Sequence, residues 1–263
     1  MEQNMEKPYY GYRINKYITA ALSGGGLVGI ALASAFTILA YPTWVLILCW
    51  ALGAIVLIWG VFWHLAVGFV NNPQTIESFQ DNFADQLRTV WHGKGRVLDI
   101  GTGLGRVAIE VAKRFSEAEV IGVDTWTKKW GVWGMTKAGA ERNARIEAVS
   151  GRCTFQNGNA LNLPFKEGEF QLVVSSFVFH EISVPDRTVL LEEVVRVLAP
   201  GGIFLICDFF PRGYRVENIP ELRQKVERLG AKEVKHKTLK EAGINLGGLY
   251  NIWRIAYLSA RKT

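Results

Sequence analysis

Asp99, Gly101, Gly103 and Gly105 stand at two-residue spacing at the end of an apolar run, Val97-Leu98-Asp99-Ile100-Gly101-Thr102-Gly103-Leu104-Gly105-Arg106. The run reads as a short buried strand that ends in a carboxylate and passes straight into a glycine-rich turn. A helix follows, from Val107 to Phe115. Glycine accepts positive φ and lets a ligand approach bare backbone, and a helix start presents unpaired N–H groups. The stretch predicts a cradle for a polar small molecule at the end of a parallel strand, where α/β sheets place their ligands. Asp124 ends the next apolar run, Glu119-Val120-Ile121-Gly122-Val123-Asp124. It lies about 20 residues past the turn, where a carboxylate accepts two hydrogen bonds from a ribose diol.

Two ligands compete for such a cradle. A dinucleotide site wants G-x-G-x-x-G, with the helix start facing pyrophosphate. Here the pattern is G-x-G-x-G, and Arg106 stands where the third glycine would be. A carboxylate at Asp99 suits a cationic ammonium or a hydrogen-bond donor better than a pyrophosphate. The D-x-G-x-G-x-G form resembles the first motif of class I S-adenosylmethionine methyltransferases.

Later segments carry the same resemblance. Gly158-Asn159-Ala160-Leu161-Asn162-Leu163-Pro164-Phe165 is similar to the family's G-D-A-x-x-L-P-F. Phe170-Gln171-Leu172-Val173-Val174-Ser175 is similar to F-D-x-V-x-S, and Arg196-Val197-Leu198-Ala199-Pro200-Gly201-Gly202 to R-V-L-x-P-G-G. The resemblance covers roughly residues 95–208 and points to the subgroup of ubiquinone and menaquinone C-methyltransferases. It implies that Asp99, Gly101, Thr102, Gly103 and Gly105 cradle the methionine part of the cofactor. Asp124 would read the ribose, Thr125 and Trp126 would pack on ribose or adenine, Asn159 and Ala160 would meet the adenine edge, and Ser175 would lie beside the methionine. Asn159 and Gln171 replace the family's usual aspartates. An amide still offers adenine a donor and an acceptor.

Methyl transfer from a sulfonium is an in-line displacement, and positioning supplies much of its rate. A base is needed only when the acceptor must lose a proton. His180 and Glu181 follow Ser175 and are the catalytic candidates; an unperturbed imidazole, with a pKa of about 6.5, suits the task. His180 could equally be a structural residue at a helix start. Asp208 is a further candidate, with loop capping before Pro211 as its plainer role. The segments Trp130-Gly131-Val132-Trp133-Gly134-Met135 and Leu246-Gly247-Gly248-Leu249-Tyr250 could cover or line the site, or simply pack. No metal site is expected: Cys49, Cys153 and Cys207 lack paired spacing, which also fits a reducing compartment.

The elements that must position these groups read as strand, helix, strand, helix. Strands fall at 96–100, 119–123, 153–157, 170–175 and 202–208, with two more near 232–236 and 253–260. That pattern predicts an α/β, Rossmann-like, seven-stranded sheet with parallel crossovers. Phe79, Phe83, Leu87 and Val90 repeat at helical spacing before the first strand. Core packing is the plain reading of that helix, and closure over the cofactor is what the resemblance implies.

The other 70-odd residues differ in kind. Between Lys16 and Glu77 there is no Asp, Glu, Lys or Arg. Two apolar runs, 17–40 and 44–70, flank Tyr41-Pro42-Thr43, and each exceeds the roughly 20 residues that span a bilayer. The reading is a transmembrane helical hairpin broken at Pro42. Lys7, Arg13 and Lys16 precede it, and Arg88, Lys94 and Arg96 follow, so both ends face the cytoplasm by the positive-inside rule. Ala21, Gly25, Gly29 and Ala33 form a small-residue stripe for hairpin packing or homo-oligomer formation. Tyr41, Trp44, Trp50, Trp59 and Trp63 supply interfacial anchors, and His64 is a lone ionisable group in the apolar region. A net charge of +6 with pI ≈ 9.2 suits anionic headgroups. Without a dense basic run, no nucleic-acid partner is expected.

The expected organisation is a cytoplasmic leader (1–16), a transmembrane hairpin (17–70), a linker helix (71–94) and a methyltransferase domain (95–263). The expected protein is an integral membrane enzyme using S-adenosylmethionine on an amphiphilic acceptor, a lipid headgroup or quinone precursor, delivered by the lipid bilayer. A soluble acceptor, or cofactor binding without turnover in a sensor or scaffold, is the alternative.

Overall fold

The computed structural model describes residues 7–10, 15–39, 41–70, 72–127, 134–211, 214, 216–244 and 254–263. Arg13, residues 130–133 and residues 246–250, all singled out above, lie outside them, as do the side chains of Lys16, Trp63 and Thr75. The described residues fall into two compact units, 7–10 with 77–127 and 135–263, and 15–76.

In the smaller unit α1 (Asn15–Ile38) and α2 (Thr43–Val70) pack on one another. They are joined at Pro42, whose carbonyl accepts the N–H of Val45 at 2.9 Å. Glycines set the approach: a Cβ on Gly26 would lie 2.6 Å from the Leu57 backbone, and one on Gly29 3.1 Å from Gly53. Ala33 is wholly buried, while Ala21 is exposed and Gly25 has open space beside it. The packed stripe is therefore 26–29–33, sharing two of its members with the expected one. Residues Thr43–Phe62 form a helix long and apolar enough to cross a membrane; the apolar part of α1, Ser23–Ile38, is shorter. Trp44, Trp50, Trp59 and Tyr41 are exposed.

The larger unit is a seven-stranded sheet. Its elements are β1 (Lys94–Ile100), α4 (Arg106–Arg114), β2 (Glu117–Asp124), α5 (Lys137–Ile146), β3 (Cys153–Asn157), β4 (Phe170–Ser176), α6 (Val189–Val197), β5 (Leu198–Phe209), α7 (Ile219–Arg228), β6 (Ala231–Thr238) and β7 (Ile255–Lys262). The strand order is β3-β2-β1-β4-β5-β7-β6. Only β7 runs against the others, so the expected parallel sheet carries one antiparallel strand. The chain travels outward one way through β2 and β3, then resumes at β4 on the other side of β1. That places a topological switch point between β1 and β4, where open α/β sheets bind ligands.

Alternation of side chains builds two cores. Val97, Val120, Leu172, Val174, Leu205 and Tyr257 face one way, with Ile109 and Val111 of α4. Leu98, Ile100, Val173, Phe204 and Leu258 face the other, with Leu190, Val194 and Leu222 of α6 and α7. Helices start where caps permit. Thr136 Oγ1 accepts the N–H of Gly139 at 3.0 Å before α5, and Asn218 Oδ1 accepts that of Glu221 at 2.9 Å before α7, as N-cap side chains do.

The helix read as a linker, α3 (Pro73–Arg88), differs from that reading. Phe79, Phe83 and Leu87 are buried in the first core. Asn82 accepts the Tyr257 hydroxyl at 2.9 Å and donates to the Ala242 carbonyl at 2.7 Å. From residue 77 onward α3 is part of the domain. So is the stub at 7–10: Asn143 accepts the Tyr9 N–H and donates back to the Tyr9 carbonyl, and donates also to the Leu104 carbonyl in the glycine turn.

Candidate active site

The glycine turn is fixed largely by its own backbone. Gly101 and Thr102 donate to the Val123 carbonyl at 2.8 and 3.0 Å, and Gly105 donates to Thr102 at 2.7 Å. All three glycines have positive φ, at 73°, 55° and 82°, but their surroundings differ. A Cβ on Gly101 would lie 2.2 Å from Val178 Cγ2, and one on Gly105 2.9 Å from both Ile109 and Phe155. A Cβ on Gly103 would meet only Met135 Sδ, at 3.7 Å. Gly101 and Gly105 are therefore packing glycines, and Gly103 is the one whose open side a ligand can enter. Fewer N–H groups are free than a helix start alone implies, because Gly105 and Ala108 already donate to Thr102 and Asp99.

The two acids beside the turn have different surroundings. Asp124 Oδ2 accepts the Gly103 N–H at 2.9 Å and Oδ1 accepts that of Trp126 at 3.0 Å. The side chain is half-buried, and each oxygen keeps a lone pair for a further donor. Trp126 Nε1 bonds the Gly103 carbonyl at 2.8 Å, so the indole bridges the turn; Thr125 is exposed. Asp99 is buried and accepts the Ala108 N–H at 3.1 Å. Burial pushes its carboxyl up to about 7, against the pull of the Thr102 hydroxyl and the Ala108 N–H and helped by the Asp124 charge. Strand parity explains the place: Asp99 points the way Val97 does, beneath α4. Its carboxylate anchors the helix start instead of standing open for an ammonium.

The third segment is held by the motif that follows it. Arg196 donates to the carbonyls of Phe165 at 2.8 Å and Leu163 at 3.1 Å, while Glu193 accepts the Leu163 N–H at 2.7 Å. That brace presents Asn159 at the surface. Its Oδ1 accepts the Leu161 N–H at 3.0 Å, which leaves the amide donors for a ligand. Ala160 is buried, so only its backbone can serve there. Gln171 accepts the Arg96 N–H at 2.7 Å; the departure from aspartate ties β4 to β1. Ser175 is wholly buried and donates to the Ile100 carbonyl at 2.9 Å. Its hydroxyl fastens β4 to β1.

Beyond β4 the chain turns through Phe177, at φ 56°, into a short 3₁₀ turn, Phe179–Glu181. Val178 packs on Gly101, which seats this turn against the cradle. Asp208, at the end of β5, is buried. It accepts the N–H groups of Phe179, His180 and Phe209 at 3.0, 3.3 and 2.8 Å. His180 Nδ1 lies 2.6 Å from Asp208 Oδ1, and Nε2 lies 3.3 Å from Glu181 Oε1. The imidazole stands edge-on to Phe209 at 4.4 Å, Phe209 lies 5.7 Å from Phe177, and Phe177 5.5 Å from Phe79. This aromatic row was not foreseen: its members come from α3, the β4 turn and β5, and no local pattern joins them.

The open side of Gly103, the spare lone pairs of Asp124 and the amide of Asn159 lie along the carboxyl ends of β1, β2 and β3. They match the donors and space that S-adenosylmethionine needs. Residues 97–202 match the family model described as a methyltransferase domain. This is a class I S-adenosylmethionine-dependent methyltransferase domain.

The methyltransferase domain has relatives with stated activities. The chain is 34% identical over 120 residues to a demethylmenaquinone methyltransferase of Deinococcus radiodurans, covering 46% of this chain and 45% of the relative. It is 30% identical over 152 residues to a ubiquinone/menaquinone biosynthesis C-methyltransferase of Dinoroseobacter shibae, covering 54% and 57%. The chain thus spans about half the length of the curated relatives it matches. Among solved structures the fold is similar to phosphoethanolamine N-methyltransferase 2 of Haemonchus contortus in complex with S-adenosyl-L-methionine. The TM-score is 0.51 at 21% identity, covering 69% of this chain and 52% of that one. It is similar also to geranyl diphosphate C-methyltransferase of Streptomyces coelicolor, with TM-score 0.52 at 16% identity, covering 72% and 83%.

Proposed function

We propose that the domain methylates an amphiphilic acceptor with an electron-rich ring, a quinone precursor, delivered from a lipid bilayer. The observation that carries this reading is the aromatic row Phe79–Phe177–Phe209 ending on His180. A flat ring stacks on such a surface, and a charged soluble metabolite gains little from it. The names of the relatives point to the same acceptor class. Thr43–Phe62, at 20 residues, matches the ~30 Å of a bilayer core, and an anchor of that kind raises the local concentration of a lipid-soluble acceptor. In this reading both ends of the helix pair face the cytoplasm, where the cofactor is made.

Bound S-adenosylmethionine supplies a sulfonium methyl, an electrophile that leaves behind a neutral thioether. The chain's own part is to bind and orient. Asp124 takes the ribose diol, Gly103 gives the close approach, and Asn159 meets the adenine edge. His180 and Glu181 stand where the acceptor would lie.

The test is methyl transfer by the detergent-solubilised full chain from labelled S-adenosylmethionine. One arm offers a membrane lipid extract containing reduced demethylmenaquinone, the other a water-soluble metabolite fraction. Label in the apolar extract is the expected result. Label confined to the soluble fraction would overturn the acceptor assignment.

A further inference from the structure

We propose that Asp208 is a positioning residue that makes His180 Nε2 a base for an acceptor hydroxyl, so the acceptor is a phenol-like or enol-like ring carrying an acidic O–H. The proposal rests on the ring-methylation reading above and adds the group through which that ring is activated.

The argument starts from hydrogen-bond valence. An ionised carboxylate only accepts, and it has about four acceptor sites. Asp208 Oδ2 takes the N–H groups of Phe179 and His180, and Oδ1 takes that of Phe209. Three backbone donors already satisfy the buried acid, so holding the turn does not require the imidazole. The fourth site is filled by His180 Nδ1 at 2.6 Å, the length of a charge-assisted bond. Facing an acceptor with no proton to give, Nδ1 must carry the hydrogen. That leaves Nε2 as the nitrogen that can take the acceptor's proton, with the Glu181 carboxylate 3.3 Å away to stabilise the imidazolium that results. The same logic fixes the tautomer of a histidine backed by a carboxylate in other catalytic pairs.

Position and surroundings fit that role. His180 is two residues past Val178, which packs on Gly101 of the cradle. Phe209 stands edge-on to the ring and limits its rotation. Among the described residues, the charged and titratable groups around it are Asp208 behind, Glu181 at 3.3 Å from Nε2, and Tyr214, which lies against Asp208 and is influenced in turn by Arg187. Burial first, then the Asp208 charge, pushes the Tyr214 phenol well above its ordinary range, so it does not compete as a base. The Glu181 side chain is 43% exposed and offers a captured proton a way out to water.

The proton balance is simple. The acceptor O–H bond breaks, its proton joins Nε2, and the electron pair stays on the acceptor, raising the nucleophilicity of the oxygen or the adjacent ring carbon. The imidazolium forms opposite Asp208 and passes its proton through Glu181 to water. Where carbon attacks, the displaced ring proton returns to the acceptor oxygen as the ring rearomatises, so one proton is released in all. The net exchange is acceptor–H plus sulfonium giving methylated acceptor, thioether and one proton.

The test has two readouts on the full chain. The first needs neither cofactor nor acceptor: nitrogen-15 NMR of the histidine side chains, with His180 assigned by its loss in His180→Gln. The neutral ring of the wild type is expected to carry its proton on Nδ1, and Asp208→Asn to lose that preference. The second is the kinetics of methyl transfer to reduced demethylmenaquinone. Asp208→Asn should lower kcat at least 100-fold with KM within twofold. His180→Gln should keep S-adenosylhomocysteine affinity and lose kcat to a similar extent; it carries the test if Asp208→Asn fails to fold. A neutral wild-type ring with its proton on Nε2, or an unchanged tautomer in Asp208→Asn, would overturn the pairing. A normal tautomer with no transfer to the quinol would overturn the acceptor reading and the base role together, while leaving the Asp208–His180 pairing in place.

Discussion

The two edges of the site are built on different principles. At the β1–β2 edge the backbone does most of the work: three glycines, the Val123 carbonyl and the Gly103 N–H are fixed by one another and by a single carboxylate, Asp124. At the β4–β5 edge side chains hold one another, with Asp208, His180, Phe209 and Phe177 converging from separate segments. The first arrangement suits a ligand that never changes. Much of the second can be rebuilt for a new acceptor while Val178 keeps its seat on Gly101 of the cradle.

The comparison breaks most sharply at Asp124. Asp124→Ala removes the acceptor for the ribose diol and frees the Gly103 and Trp126 N–H groups. Hydrogen bonds to a charged group contribute about 1.5–3 kcal/mol each, and 1.4 kcal/mol is about tenfold in affinity. Calorimetry should find S-adenosylhomocysteine binding weakened at least ~100-fold. A loss under tenfold would mean that the cradle does not read the diol through this acid.

The glycines divide next. Gly105→Ala forces a methyl within 2.9 Å of Ile109 and Phe155 at φ 82°. Strain and overpacking together should cost about 3 kcal/mol of stability. Gly103→Ala meets open space, at φ 55°, and should cost about 1 kcal/mol. Its methyl projects where the ligand must come, so affinity should fall at least ~10-fold by the same conversion. Denaturant melts and calorimetry on the pair would show stability and binding separating. If the two variants lose both in the same proportion, the distinction between packing and ligand-facing glycines is wrong.

What could be read without coordinates follows the same divide. The central strands β1, β2, β4 and β5 fall where apolar runs placed them, because central strands of a parallel sheet are buried on both faces and read as continuous hydrophobic stretches. The cradle was legible because positive φ selects glycine, and glycine is visible in a sequence. Asp99 was read as a ligand group from its residue type alone; counting its parity from Val97 sends it under α4, where it accepts the Ala108 N–H. The buried stripe of α3 was legible at Phe79, Phe83 and Leu87, but not the partner that made it part of the domain. His180 and Asp208 were each singled out, yet 28 residues separate them and no spacing rule joins them. The clasp of Asn143 on Tyr9, across 134 residues, left no local signal at all.

Asp99 gives the pH-dependent test. Its folded carboxyl titrates near 7, above the unfolded value of about 3.9. Between those values the folded state holds a proton that the unfolded chain has released. Wild-type stability should therefore fall as pH rises from about 4 to about 7, by up to ~1.4 kcal/mol per pH unit, and level off above. Asp99→Asn keeps an oxygen for the Ala108 N–H and removes the titration. Its stability relative to wild type should climb with pH across that window and stay flat beyond it. Parallel curves for the two proteins would show that Asp99 is not the buried acid its geometry implies.

Ser175 gives the smallest effect and the finest discrimination. By resemblance it belongs beside the methionine part of the cofactor; by geometry its hydroxyl is buried on the Ile100 carbonyl, locking β4 to β1 at the switch point. A buried neutral hydrogen bond contributes about 1 kcal/mol, and leaving the Ile100 carbonyl with one fewer donor costs a similar amount. Ser175→Ala should lower stability by about 1–2 kcal/mol and leave S-adenosylhomocysteine affinity within twofold. A ligand contact predicts the opposite pattern, with affinity lost and stability kept. If affinity falls tenfold while the melt is unchanged, Ser175 swings to the cofactor when it binds, and the cradle reaches one strand further along the sheet than the backbone-built edge alone.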